Sequence, residues 1–191
     1  MAKREQEKPM KRIPVSELPK TLWCYGNHDV CYEWNQRESG YSPIAARLVC
    51  EKLRKLKAIL PDENQIGFIH RIDQVLFLHG GLREEFVRKH VAPEDQDDID
   101  AVIRTVNGFG YSELWHDLSP LWLRPQYNRW KMYKGDSLLQ IVGHTPTEEI
   151  MKKGNIISCD VFSTDSAGKP LGTREYLALD TKTWEYQGLK A

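Results

Sequence analysis

The sequence has no Cys-x-x-Cys pair, no apolar run long enough to cross a bilayer and no surplus of charge. Each absence removes a class of function. Cys24, Cys31, Cys50 and Cys159 are scattered without close pairing. That reads as reduced thiols in a cytoplasmic protein rather than as a disulfide framework or a zinc site. Lysine plus arginine and aspartate plus glutamate both number 27, so no net field points to nucleic acid or an anionic membrane. The basic residues 1–12 have no apolar stretch behind them and are not expected to act as a secretory leader. Repeats, low-complexity segments and linkers are also missing. What is left, 191 residues with 40% hydrophobic and 28% charged, suits one soluble domain. That domain is expected over residues 18–191, behind a poorly ordered basic tail at 1–17.

Three apolar runs stand out because each ends in the same way. Thr21-Leu22-Trp23-Cys24-Tyr25 reaches Gly26 and then presents Asn27, His28 and Asp29. Val75-Leu76-Phe77-Leu78 ends in His79-Gly80-Gly81, and Leu138-Leu139-Gln140-Ile141-Val142 ends in Gly143-His144-Thr145-Pro146. Read as strands side by side in one orientation, they deliver Asn27, His79 and His144 to one rim of a sheet. Open α/β sheets place their ligands at such a rim. Gly26 is expected to permit a sharp turn, since it lacks a Cβ.

The other elements follow from periodicity. Ser42 and Pro43 suit a helix start, and Ala45, Leu48, Val49, Leu53, Leu56 and Leu60 recur at helical spacing. The Lys52, Arg54, Lys55 and Lys57 cluster reads as the solvated face of that helix. Residues 30–41 read as a loop. Strands are expected at 66–72 and 75–79 around a turn at Asp73-Gln74, and a short helix at 82–89. The acidic run from Pro93 to Asp98 suits the N-terminus of a helix that Asn107-Gly108 ends. Further strands are expected at 155–162, 175–179 and 183–186.

Gly-Asn-His-Asp, Leu-His-Gly-Gly and Val-Gly-His-Thr-Pro, in that order, resemble the calcineurin-like metallophosphoesterase superfamily, in its protein serine/threonine phosphatase-like branch. The resemblance spans residues 18 to 163. It implies part of a four-layer α/β/β/α sandwich and a phosphoesterase working through two divalent metal ions about 3.5–4 Å apart. It assigns Asn27, His79 and His144 to one metal, with manganese, iron or zinc suited to such donors. It makes His28 the proton donor to the leaving oxygen, with Asp29 a substitute for the family's orienting aspartate. Ser119-Pro120-Leu121-Trp122-Leu123-Arg124 resembles a segment whose arginine contacts the substrate phosphate, a task suited to a planar guanidinium. His70, His90 and His116 are left as structural residues.

The family's opening motifs, Asp-x-His and Gly-Asp-x-x-Asp-Arg-Gly, are absent. No Asp has a His two positions on, and the only Gly-Asp pair, Gly135-Asp136, continues Ser-Leu-Leu. The expectation is therefore a domain without its N-terminal strands, holding at most one metal weakly and hydrolysing little by itself. A separate N-terminal segment would complete it. The substrate is expected to be a phosphoprotein or a small phosphoester, with no nucleic acid or membrane partner. The alternative is a non-catalytic interaction module that keeps the scaffold alone.

Overall fold

The computed structural model of the protein describes residues 20–38 and 40–190, so the expected tail at 1–17 lies outside the described residues. Its centre is a mixed five-stranded sheet. A hairpin opens it: β3 (Ile69–Ile72) pairs antiparallel with β4 (Val75–Leu78), around Asp73 at φ 52°. Next to β4 lies β5 (Leu139–Val142), parallel, with Leu78 opposite Val142. β7 (Ile156–Ser158) continues parallel to β5, and β6 (Met151–Lys153) closes the edge antiparallel to β7.

Both faces of the sheet are covered at β4 and β5, which is why these two read as unbroken apolar runs instead of alternating ones. Alternate side chains still divide between two cores. Leu76, Leu78, Leu138 and Val142 face one core with Phe86, Val102, Val106 and Leu121. Val75, Leu139, Ile141 and Ile157 face the other, covered by Leu177, Leu179 and Trp184. The first cover comes from α3 (Glu84–His90), α4 (Ile99–Asn107), the short α5 (Tyr111–Leu114) and the segment after it. The second comes from the hairpin of β8 (Glu175–Leu179) and β9 (Tyr186–Lys190). The second strand of that hairpin starts three residues later than expected, because the turn takes in Thr183, Trp184 and Glu185.

Gln140 points into the first core between Leu138 and Val142 with none of its surface exposed. Its amide donates to the Leu82 carbonyl and accepts from the Leu82 N–H, both at 2.9 Å, so no polar atom is stranded. Asn107 clamps the chain between β2 (Ile66–Gly67) and β3 in the same way. Its Oδ1 accepts from the Phe68 and Ile69 N–H groups, and its amide donates to the Ile69 carbonyl.

Several expectations need correction. The run at 21–25 does not join the central sheet. Only β1 (Trp23–Cys24) forms there, paired parallel with β2 in a separate two-stranded ribbon. Residues 30–41 are not one loop, because α1 (Asn27–Glu33) starts directly after Gly26. The long helix, α2 (Ala46–Ile59), begins later than Pro43 and is shallowly set. Leu53 is its one buried residue, and Leu48 and Ile59 are more than half exposed. Its lysines and arginines are solvated as expected. The acidic run forms a 3₁₀ turn at Pro93–Asp95, and α4 begins behind Asp98. The α/β class is met, and four-layer stacking is a finer statement than this sheet makes. No helix among the described residues is long and apolar enough to cross a membrane.

Candidate functional site

β4 and β5 lie side by side and run the same way, so the residues that follow them leave the sheet at one edge. The ladder continues one step past the strands, with the Gly143 N–H donating to the His79 carbonyl at 2.9 Å. The chain then turns sharply. His144 sits at φ 60°, a left-handed conformation uncommon outside glycine. His79 is followed by Gly80, whose N–H donates to the Pro120 carbonyl at 2.7 Å. A Cβ on Gly80 would lie 2.8 Å from that oxygen. The glycine thus lets the segment carrying Arg124 dock on the turn after β4.

Asn27 reaches the same edge although its strand lies outside the sheet. Two bonds bring β1 across. The His70 ring Nε2 pairs with the Trp23 carbonyl at 2.9 Å, and the Cys24 thiol donates to the Phe77 carbonyl at 3.3 Å. His70 is structural, as expected, yet it is what steers β1 toward β4. Gly26 has ordinary extended dihedrals, φ −99° and ψ 168°. Its role is space: a Cβ there would sit 3.0 Å from Cε1 of His79. This corrects the expectation that a turn demanded the glycine.

Three side chains meet at this rim. Asn27 Oδ1 lies 2.7 Å from His79 Nε2, and His79 Nε2 lies 3.1 Å from His144 Nδ1. Asn27 is buried, and both imidazoles are largely removed from water. Burial first, then the neighbouring His144, His28 and Arg124, pushes the His79 pKa down to about 3. Burial, Arg124 and His28 lower that of His144 to about 4. Both rings are therefore neutral near pH 7 and carry lone pairs that can serve a cation.

The donor set fits a divalent metal in spacing and type. Donors about 2.1 Å from one ion and at right angles stand about 3.0 Å apart, and His79 Nε2 stands at 2.7 and 3.1 Å from the other two. Imidazole with a hard oxygen suits manganese, iron or zinc. No anionic ligand joins them: among the described residues, no group of three or more His, Cys, Asp or Glu is placed to hold a metal ion.

Around this trio stand the other sequence-derived residues. His28, on α1, is exposed, and its ring packs over Gly40, where a Cβ would come within 2.9 Å of Cε1. Asp29 stands in the first turn of α1. Its Oδ2 accepts from the Gly26 N–H at 2.8 Å and closes the start of α1. Arg124 is beside His144, with Nη1 donating to the His144 carbonyl at 3.1 Å and to Thr145 Oγ1 at 3.2 Å. Trp122 stands edge-on to the His144 ring at 5.8 Å between centroids. Thr145 and Trp122 were not singled out from the sequence, although both lie inside the quoted motifs.

Thiols offer no competing chemistry at the rim. Burial raises Cys24 to about 12, Cys159 to about 11, and Cys31 as well. A nucleophilic cysteine needs the opposite shift. Cys50 lies on α2, with its thiol toward the Tyr32 carbonyl at 3.7 Å.

No family model matches the chain, and no curated protein matches it. Three solved structures show a partial similarity to the chain. A cold-active protein tyrosine phosphatase is 15% identical with a TM-score of 0.46 over 87% of this chain and 56% of its own. A mutant cold-active protein tyrosine phosphatase is 15% identical with a TM-score of 0.47 over 88% and 58%. The cold-active protein-tyrosine phosphatase of a psychrophilic Shewanella species is 16% identical with a TM-score of 0.39 over 67% and 44%. The chain thus spans about half the length of these structures. Membership of the calcineurin-like superfamily, expected from three short motifs, is corrected here. No family model returns it, and the structural neighbours carry the name of protein tyrosine phosphatases.

Proposed function

We propose that the rim of Asn27, His79 and His144 binds a divalent cation and that the protein acts on phosphate esters there. One observation carries this reading: an amide oxygen and two neutral imidazole nitrogens, from three separate segments, converge at 2.7 and 3.1 Å. A cation held there supplies Lewis-acid polarisation of a phosphoryl oxygen. The remaining work falls to the chain. His28, exposed next to the trio, gives a proton to the leaving oxygen. Arg124 places its positive charge beside the same edge, where a phosphate's oxygens would lie. With no carboxylate among the ligands, the cation is bound weakly and turnover is slow.

Electron paramagnetic resonance of Mn²⁺ tests the binding half. One ion per chain is expected, and it should be lost in His144→Ala and Asn27→Ala. The chemical half is read from leaving groups. His28→Ala should depress Mn²⁺-dependent hydrolysis of an alkyl phosphate about 100-fold or more, and that of 4-nitrophenyl phosphate far less, because nitrophenolate leaves without a proton. Hydrolysis indifferent to a chelator, or Mn²⁺ binding that survives both ligand variants, would remove the proposal.

A further inference from the structure

Arg124 makes two bonds that a residue kept only for phosphate would not need. Its Nη1 donates to the main-chain carbonyl of His144 at 3.1 Å and to the hydroxyl of Thr145 at 3.2 Å. Thr145 is buried, with 1% of its surface exposed. The turn these bonds grip is unusual. His144 is held at φ 60°, and the Thr145 N–H folds back to the Gly143 carbonyl at 2.6 Å. A non-glycine residue is strained in that region and stays there only when its surroundings enforce it.

The enforcement is traceable. Ser119 ties its hydroxyl to the Leu114 carbonyl at 2.6 Å, and the Leu123 N–H donates to the Ser119 carbonyl at 2.9 Å. Pro120 receives the Gly80 N–H just after His79. The segment that carries Arg124 is therefore anchored to one histidine's turn before it reaches over to the other's.

We infer that Arg124 is a positioning residue, a latch that holds His144 in its left-handed turn so that Nδ1 faces His79 and Asn27. The inference deepens the metal-site reading above and rests on it for its consequence, though not for its geometry. The latch uses one guanidinium nitrogen of three, so holding His144 and meeting a phosphate are compatible duties.

Two readouts test it, and one needs no metal. In chelator-treated protein, long-range ¹H–¹⁵N spectra of the imidazoles should give one sharp His144 spin system in the wild type. In Arg124→Gln that system should broaden or split, while His70 is unchanged. With Mn²⁺ added, Arg124→Gln should weaken binding about tenfold or more, the size of effect seen when a ligand's supporting partner is removed. Arg124→Lys should restore part of the loss. Thr145→Val, which touches no phosphate and removes one acceptor of the latch, should weaken Mn²⁺ by a smaller factor in the same direction. If Arg124→Gln leaves the His144 resonances and the Mn²⁺ affinity intact and alters only inhibition by inorganic phosphate, the latch is overturned and the metal site stands. If the wild type binds no Mn²⁺ but Arg124→Gln still disorders His144, the metal site falls and the latch stands.

Discussion

Gly26 keeps a place clear for the His79 ring, and that makes it a sensitive residue with undemanding dihedrals. Gly26→Ala puts a methyl carbon 3.0 Å from Cε1 and 3.1 Å from Nδ1 of His79. The ring must give way by a few tenths of an ångström, at the cost of overpacking, about 1–3 kcal/mol. Because His79 Nε2 is the atom shared by both short contacts of the trio, Mn²⁺ affinity should fall by at least a factor of about ten. A titration showing wild-type affinity with unchanged melting temperature would refute this account of the glycine. At this scale the sequence was informative about identity and poor about reasons. Asn27, His79 and His144 were legible because three apolar runs end alike. Asp29 has a further part that the sequence did not announce, because its Oδ2 accepts from the main-chain N–H of Gly26. Thr145 escaped notice because its partner lies 21 residues away.

The elements divide between those written in local pattern and those decided by tertiary pairing. The hairpin of β3 and β4 and the strand β5 were legible, since a polar pair separates two apolar runs in one case and a continuous run marks the other. α1 was not. Its seven residues are too few for a helical repeat to register, and its start is disguised by the polar triplet at its first turn. β1 was read as longer and as part of the main sheet, but its pairing with β2 follows from contacts more than 40 residues distant. The start of α4 is a case where chemistry decides. Asp98 Oδ1 accepts from the Asp100 and Ala101 N–H groups at 2.9 and 3.1 Å. Those bonds hold its carboxyl below the usual range. Asp98→Ala should lower stability, measured by urea denaturation. An equal loss in Asp95→Ala would place the cap earlier and contradict the assignment.

Over the whole molecule, buried thiols and a phenol impose a pH limit on the alkaline side. Burial raises Cys24 to about 12 and Cys159 to about 11, and Tyr133 reaches about 12, chiefly through burial and then the nearby Asp97 and Asp98. A free thiol loses its proton near pH 9.0. Above that value the folded state keeps protons that the unfolded chain has released. Stability is then full below pH 9.0 and declines as pH rises toward the folded values. Thermal melts should show this decline, and Cys24→Ala should make it shallower. Parallel declines in the two proteins would mean that the thiol is more open to water than its surroundings indicate.

The trio at the rim joins segments separated by 52 and 65 residues, Asn27 to His79 and His79 to His144. Loops of that size close at an entropic cost that no local structure offsets beforehand. None of the three segments can hold a ligand by itself, and a partly folded chain with its hairpins formed has no site. A cation bound as proposed would therefore require the pairing of β4 with β5 and the docking of β1 to be in place. Occupancy of the rim would then serve as a gauge of conformational completeness, reporting on the finished chain.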